Sequence, residues 1–285
     1  MPAINHKAER DNDIKRIRDS VHPRKVVVGG PGTGKSYLFS EVIKKKRAAG
    51  KARVLAITFV GKLCDLLADD LCGLASTTTM HSFARSFVLE NAKGWEYYPQ
   101  IYDLIAEDLR NEGIGTFEIG DQNYLRRSKH YKAVGDADVV HYAVRICKKD
   151  ERKIPVFDLI LVDEYQDFNA AEAELVDLLA LKSEIIIVGD DDQALYGFKG
   201  SSPSFIRAKH DSRDAEWQSF TLRFCSRCTE VMIKCFHSLV ARFASGNQGE
   251  RTPRRGESKK STFAMPLTGK WIQNFMIRRQ ILKSV

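Results

Sequence analysis

Two acidic side chains at the end of a short apolar run are the residues best suited to chemistry in this sequence. Asp163 and Glu164 directly follow Leu159-Ile160-Leu161-Val162 and open the segment DEYQD. Such a run predicts a strand buried on both faces, and its C-terminal end is where an open α/β sheet places its ligand. Asp163 can hold a magnesium ion through its water shell, and Glu164 can accept a proton from an attacking water.

A phosphate-binding loop lies upstream of these carboxylates. The segment GGPGTGKS matches G-x-x-x-x-G-K-[ST] in full, with the β-branched run 25–28 before it and an apolar-periodic segment after it. Glycines let backbone N–H groups turn toward phosphate oxygens, and the helix N-terminus adds its positive dipole end. Lys35 would bridge the β- and γ-phosphates, and Ser36 would ligate magnesium. The predicted nucleotide-binding residues are Gly29, Gly30, Pro31, Gly32, Thr33, Gly34, Lys35 and Ser36. Together with the DEYQD segment, the loop indicates nucleotide hydrolysis.

Composition limits the class of protein. Hydrophobic residues at 43% and charged residues at 29% are typical of a soluble globular chain. No run of about 18 apolar residues occurs and the N-terminus has no apolar signal core, which predicts a cytoplasmic protein without a membrane span. Residues 251–285 hold nine Lys or Arg and one acidic residue, so the whole net charge of +8 lies there. A nucleic-acid groove elsewhere must therefore be argued from motifs.

The cysteines leave two interpretations open. Cys225, Cys228, Cys235 and His237 have a zinc-like spacing. The surrounding segment is helically periodic, however, and cysteine is among the most buried residue types. We favour packing of a helix face, and a zinc site is the alternative.

Strands and helices alternate from Lys25 onward. The predicted strands are 25–29, 52–58, 76–79, 157–162, 184–188 and 217–222. The predicted helices are 35–48, 61–72, one from His81, 168–181 and one from about Arg227. This alternation is typical of a parallel sheet covered by helices. Residues 86–150 lack buried strands and predict a helical insertion, and residues 245–262 have the composition of a disordered linker.

Three more segments make the sequence similar to a known family. They are LAITFVGKLCDLLADDL from Leu55, TTTMHSF from Thr77 and IIIVGDDDQALYGFKGS from Ile185. With the phosphate loop and DEYQD, and in this order, they make the chain resemble the N-terminal part of a UvrD/Rep-type superfamily-one DNA helicase. The resemblance covers residues 25 to about 235.

The resemblance implies an α/β fold: a RecA-like P-loop NTPase with a parallel sheet, helices on both faces, a small α-helical insertion like subdomain 1B, and the start of a second motor domain. The expected division is a first part of domain 1A at 1–85, the insertion at 86–150, the remainder of domain 1A at 151–216, the start of domain 2A at 217–244, and a basic linker and tail at 245–285.

Roles for single residues also follow from the resemblance. Gln193 would sense the γ-phosphate or the attacking water, Arg227 would reach the γ-phosphate from the second motor domain, and Gln166 would couple nucleotide to DNA. The catalytic set is then Glu164, Gln193 and Arg227, and the metal set is Ser36 and Asp163. Aromatic rings stack on bases whatever the sequence. The DNA-contacting residues implied are Phe59, His81, Tyr196 and Phe198. The implied cofactors are ATP and Mg²⁺, and the implied partner is single-stranded or partly duplex DNA, with a protein partner for the tail as a further expectation.

The sequence also departs from the family pattern. No Leu-Asn-x-x-Gln element precedes the loop, Val60-Gly61 replaces Thr-Asn, and Cys225-Ser226 replaces Asn-Tyr before Arg227. The fifth and sixth motifs, with a last arginine, do not follow. Because an arginine of this type is worth about 10³ to 10⁵ in rate, slow hydrolysis is expected without it.

Two functions from different classes remain open at this stage. The first is a motor ATPase that moves along single-stranded DNA, 3′ to 5′ by resemblance. The alternative is a helicase-like module that binds ATP and DNA, or a partner, without processive unwinding. A phosphate-loop kinase or GTPase fits less well, since DEYQD and GDDDQ argue against it and no Asn-Lys-x-Asp occurs.

Overall fold

The structure, a computed structural model, describes most of the chain up to Ser226. The described residues are 6–50, 52–59, 61–71, 73–190, 202–212, 216–226, 231, 232, 235, 263 and 264. The α-helices are α1 His6–Asp19, α2 Lys35–Ala48, α3 Gly61–Leu71, α4 Met80–Asn91, α5 Ile101–Asn111, α6 Gln122–Tyr131, α7 Val139–Lys149, α8 Ala170–Leu179 and α9 Ser204–Asp211. The strands are β1 Arg24–Gly29, β2 Val54–Thr58, β3 Ser76–Thr79, β4 Glu96–Tyr97, β5 Ala133–Val134, β6 Leu159–Val162, β7 Ile185–Gly189, β8 Gln218–Leu222, β9 Phe224–Cys225 and β10 Phe263–Ala264.

A six-stranded parallel sheet organises the chain. Its strand order is β3-β2-β6-β7-β1-β8, so β1 lies between β7 and β8. The register sets Val27 opposite Val188 of β7 and Phe220 of β8. Because all six strands run in the same direction, their carboxyl ends meet at one edge. The confirmed fold class is α/β, a parallel sheet flanked by helices.

Alternate residues of the central strands enter two separate cores. On β1, Val26 and Val28 join a core with α4, α7, α8 and α9, whereas Val27 joins a core with α1, α2 and α3. This division follows the two-residue period of a strand. A sheet covered on both faces needs continuous apolar strands, and the four residues of β6 are all fully buried.

Residues between α4 and α8 form two kinds of structure. Helices α5 and α6 build a third core of their own, with Ile101, Ile105, Leu109, Tyr124 and Ala133 buried. Helix α7 instead packs against α4 and α8 in the main core. The domain boundaries given above stay predictions, but α7 contributes to the layer that covers the sheet.

Buried polar groups fix where α7 begins. Asp138 is fully buried at the residue before α7, and it accepts hydrogen bonds from Gly135 N at 2.7 Å and from Tyr124 Oη at 2.9 Å. Gly135 is required there, because a Cβ would meet Tyr98 O at 2.7 Å. These contacts join α6, β5 and α7.

Two helices were not predicted from the sequence. Helix α1 buries two apolar residues, Ile14 and Ile17, and α9 buries Ile206 with Phe205 partly buried beside it. So few apolar residues give little helical periodicity to detect. Of the helix predicted from about Arg227, the structure describes Val231, Met232 and Cys235, which are helical and exposed. Cys228 and His237 of the zinc alternative lie outside the described residues. In the part of the chain that the structure describes, no helix has the length and apolar character to cross a bilayer.

Candidate nucleotide site

The phosphate loop joins β1 to α2 at the carboxyl edge of the sheet. Gly32 and Gly34 have φ of 76° and 93°, a left-handed backbone that glycine adopts without steric cost. Thr33 is buried, and its hydroxyl donates to Gly30 O at 2.8 Å, which braces the loop from within. Gly34 carries no side chain to cap α2, so the first amides of that helix are not covered by a capping side chain.

A hydrogen-bonded chain links this loop to the ends of β6 and β7. Lys35 Nζ donates to Glu164 Oε2 at 3.5 Å, and Gln166 Nε2 donates to the same oxygen at 2.8 Å. Gln166 Oε1 in turn accepts from the backbone N–H of Asp190 at 2.9 Å. The structure therefore brings together the lysine, the candidate base and the candidate coupling residue.

Glycine at the end of β7 makes room for this bridge. A Cβ on Gly189 would lie 2.6 Å from Gln166 Oε1 and 2.8 Å from Ile206 Cδ1. Any larger residue would displace the Gln166 amide. Gln166 is itself buried, so its amide cannot find water as a substitute partner.

Glu164 holds an unusual backbone conformation. Its φ is 50°, in the left-handed region that costs a non-glycine residue free energy. The 3₁₀ helix Tyr165–Asp167 follows immediately, and Asp167 N donates to Glu164 O at 3.0 Å. This sharp turn directs Glu164 toward Lys35 instead of along the strand.

Asp163 is placed by the neighbouring strand. Its backbone N–H donates to Ile57 O of β2 at 2.8 Å, and its Oδ1 accepts from Glu164 N at 3.0 Å. Burial and the Glu164 charge together raise the pKa of the Asp163 carboxyl to about 6, against the opposing effect of the Lys35 charge. Two adjacent carboxylates with partial burial fit a hard cation, which prefers oxygen ligands. Ser36 supplies a further oxygen in the first turn of α2.

The candidate DNA contacts that the structure describes lie at the same edge of the sheet. Phe59 follows β2 and packs on Phe168 with ring centroids 6.3 Å apart, at the border of the main core. His81 lies in the first turn of α4, with Nδ1 3.5 Å from Oε1 of the buried Glu172. Both side chains thus have protein partners as well as partial exposure. The other candidates of the site, Gln193, Tyr196, Phe198 and Arg227, lie outside the described residues.

Two residues that the sequence did not assign to the nucleotide site, Cys225 and Ser226, reach the loop from the end of β9. Cys225 Sγ contacts Pro31 O at 3.2 Å, and Ser226 donates to Gly32 O through its N–H at 2.8 Å and its hydroxyl at 3.0 Å. The segment is anchored by Arg223, which makes a two-point contact with the buried Asp13 of α1 at 3.1 and 2.8 Å. The sequence signals were that Cys225-Ser226 departs from the family's Asn-Tyr and that Cys225 opens the cysteine spacing. The favoured position of Cys225 on a helix face is wrong, because Cys225 is buried in the strand β9.

Comparisons with known proteins match this chain to a family. A family model described as an AAA domain matches residues 15–199, which is more than half of the chain. The ATP-dependent DNA helicase Rep of Buchnera aphidicola subsp. Acyrthosiphon pisum is 38% identical over 128 residues, covering 42% of this chain and 19% of that protein. The ATP-dependent DNA helicase PcrA of Staphylococcus aureus is 33% identical over 155 residues, covering 52% of this chain and 20% of that protein.

The match to a solved structure is broader and less similar. The Pif1 helicase from Candida albicans has 15% identity and a TM-score of 0.42, covering 89% of this chain and 50% of that one. The chain spans about a fifth of the length of the Rep and PcrA relatives. By the family match this chain belongs to the AAA domain family, and within it the chain is similar to the ATP-dependent DNA helicases Rep and PcrA.

Proposed function

We propose that this chain hydrolyses ATP and that hydrolysis drives movement along single-stranded DNA, in the 3′ to 5′ direction. The observation that carries the proposal is the hydrogen-bonded chain from Lys35 through Glu164 and Gln166 to Asp190. It joins the phosphate loop to the ends of two other strands. The relatives Rep and PcrA are ATP-dependent DNA helicases by name, which supports the same class of activity here.

In this proposal Lys35 and the loop N–H groups bind the β- and γ-phosphates. Glu164 Oε2 lies 3.5 Å from Lys35 Nζ, so the carboxylate stands beside the position of the γ-phosphate. An attacking water must occupy that same neighbourhood. Glu164 is then placed to accept its proton.

Magnesium fits the remaining oxygen donors. The Ser36 hydroxyl and the Asp163 carboxylate would hold the ion, directly or through water. When bound, Mg²⁺ neutralises charge that develops on the phosphate oxygens. Burial and the Glu164 charge disfavour the ionised form of the Asp163 carboxyl. A nearby cation would stabilise that ionised form.

Gln166 would couple the state of the bound nucleotide to the segment that follows β7. One end of its amide contacts Glu164 and the other contacts the N–H of Asp190, which comes three residues before Gln193 in the sequence. A change at Glu164 therefore alters a hydrogen bond at the start of the GDDDQ segment. Phe59, His81, Tyr196 and Phe198 would provide stacking surfaces for the DNA bases, and Gln193 and Arg227 would complete the hydrolytic site.

The second candidate is a nucleotide-dependent binding module without processive unwinding. It is favoured by the change in composition after Ala244 and by the placement of the entire net charge of +8 in residues 251–285. A protein partner for that tail belongs to this alternative.

One experiment separates the two candidates. ATP hydrolysis by the purified chain is measured with Mg²⁺, with and without single-stranded DNA, alongside direct nucleotide binding. Robust stimulation by DNA supports the motor. Tight nucleotide binding without turnover supports the binding module, and absence of both binding and turnover would overturn the nucleotide site.

A further inference from the structure

The contact between β9 and the phosphate loop has no part in the mechanism described above. Two consecutive residues, Cys225 and Ser226, are hydrogen-bonded to two consecutive carbonyls of the loop, those of Pro31 and Gly32. Ser226 contributes both its backbone N–H, at 2.8 Å, and its hydroxyl, at 3.0 Å. Ser226 lies 194 positions after Gly32 in the sequence, so the contact joins two distant segments of the chain.

The direction of these bonds bears on the phosphate site. All peptide bonds of the described residues are trans, and a trans peptide unit points its C=O and N–H in opposite directions. Holding the Pro31 and Gly32 carbonyls toward β9 therefore directs the Gly32 and Thr33 N–H groups away from β9. Within the described part of the chain, neither N–H donates to another protein group. Both donors face the side where a phosphate would bind.

The β9 side of the contact is firmly held. Phe224 and Cys225 are buried, and Arg223 is fixed by its two-point contact with Asp13. Leu222 pairs with Gly29 in the sheet, and its Cβ lies 3.0 Å from where a Gly29 Cβ would be. The loop, by contrast, contains two glycines with left-handed backbone and little intrinsic stiffness. The firmly held β9 segment therefore sets the conformation of the phosphate loop.

We propose that Ser226, assisted by Cys225, is a positioning residue for the phosphate loop. It orients the peptide units of the loop that follow Pro31 and Gly32 for phosphate binding. The proposal rests on the nucleotide site proposed above. It differs from the family-derived role of Arg227, since it needs no side chain to reach the γ-phosphate.

Ser226→Ala tests the proposal, with Ser226→Thr as the conservative variant that keeps a hydroxyl. Ser219→Ala is the matched control, because that hydroxyl lies on β8 and donates to His210 O at 2.6 Å, away from the loop. Binding of a fluorescent ADP analogue with Mg²⁺ is measured at a temperature well below unfolding. We expect Ser226→Ala to weaken binding about 2- to 10-fold, from the usual value of one hydrogen bond. Ser226→Thr should restore most of the affinity, and Ser219→Ala should match the parent.

A second readout makes the outcome independent of nucleotide binding. The protection against hydrogen exchange of the amide of residue 226, whose N–H donates to Gly32 O, should be lower in Ser226→Ala than in the parent after correction for intrinsic rates, with other regions unchanged. If the parent binds no nucleotide, the proposed function fails and exchange alone decides this inference. Equal affinity and equal exchange in Ser226→Ala and the parent would overturn it. A loss of thermal stability with unchanged affinity would also overturn it, since that is the behaviour of a merely structural serine.

Discussion

At the scale of single residues, Glu164 combines a strained backbone with a short path to Lys35. Its φ is 50°, a backbone conformation that is energetically unfavourable for a non-glycine residue. The surroundings must therefore enforce it, through Gln166 on one oxygen and the following 3₁₀ turn on the backbone. Such a turn points the carboxylate across the strand ends, where the lysine lies.

Lys35→Ala should abolish nucleotide turnover, because the β- and γ-phosphates lose the positively charged ammonium group of Lys35. We expect the hydrolysis rate to fall by about 10² or more, on the scale of a lost electrostatic contact in a catalytic site. The fold should survive, since among the described residues the Lys35 ammonium has one weak ion pair, with Glu164 at 3.5 Å. Lys44→Ala on the same helix, with a 58% exposed side chain, is the control. Parent-like turnover in Lys35→Ala would show that the loop assignment is wrong.

Glu164→Gln should keep nucleotide and magnesium binding but lose hydrolysis, because an amide cannot accept a proton from water. The expected loss in turnover is about 10² to 10⁴. Binding and turnover are measured separately, with Glu174→Gln as control because Glu174 is partly exposed and forms an ion pair with Lys148, away from the site. If binding falls as much as turnover, Glu164 is a ligand or a structural residue and not the base.

At the scale of elements, Asp138 makes the junction of α6, β5 and α7 sensitive to pH. Burial raises the pKa of the Asp138 carboxyl, although hydrogen bonds from Gly135 and Tyr124 oppose the shift. A raised pKa in the folded state means that folding takes up protons. Stability from this group is therefore greatest below the unfolded value near 3.8 and is lost as pH rises through the folded pKa.

Comparison of the parent with Asp138→Asn isolates this effect. As pH falls from 7 toward 4, the parent should gain unfolding free energy relative to the variant, whose amide does not titrate. Thermal unfolding of both proteins across that range measures the difference. A difference that stays constant, or that favours the variant at low pH, contradicts the prediction.

Local patterns were sufficient to predict the elements that form the sheet. The β-branched run before the loop became β1, and the predicted helix 35–48 coincides with α2 Lys35–Ala48. Each of these segments carries its own periodicity and its own start or stop signal. Helix α1 was missed because its charged sequence buries only two apolar side chains, Ile14 and Ile17.

The connections inside the site could not be predicted in the same way. DEYQD and GGPGTGKS named Glu164 and Lys35, but the contact of Gln166 with the Asp190 N–H depends on β6 and β7 being neighbours. The contact of Ser226 with Gly32 depends on β8 pairing with β1. Both result from strand order, which spacing along the chain does not encode.

At the scale of the whole molecule, charge and stacking should make separable contributions to DNA binding. Deleting residues 251–285 removes the whole net charge of +8 and should flatten the dependence of affinity on salt. Phe198→Ala should instead weaken binding by about 1 to 3 kcal/mol at every salt concentration, with little dependence on base sequence. Affinity for single-stranded DNA, titrated against salt for both variants, measures the two effects.

The opposite result in these titrations would contradict the proposed stacking of DNA bases on the aromatic residues. If Phe198→Ala binds like the parent while the deletion loses all binding, the tail alone holds DNA and the motor proposal must be withdrawn. An unchanged salt dependence in the deletion variant would instead assign the charged contacts to the neutral body of residues 1–250.

The pairing of β8 with β1 also decides how force reaches the nucleotide. Five consecutive residue pairs, from Lys25 with Gln218 to Gly29 with Leu222, join the two parallel strands. A pull along the chain leaving β8 strains all these pairs together in shear, instead of peeling them one at a time. Shear of this kind permits little displacement, so tension at Leu222 arrives at Gly29 almost undiminished. The phosphate loop is thus tethered to its chain exit by a short, stiff mechanical linkage, and stretching that exit in a single-molecule experiment should change nucleotide residence time before it unfolds the sheet.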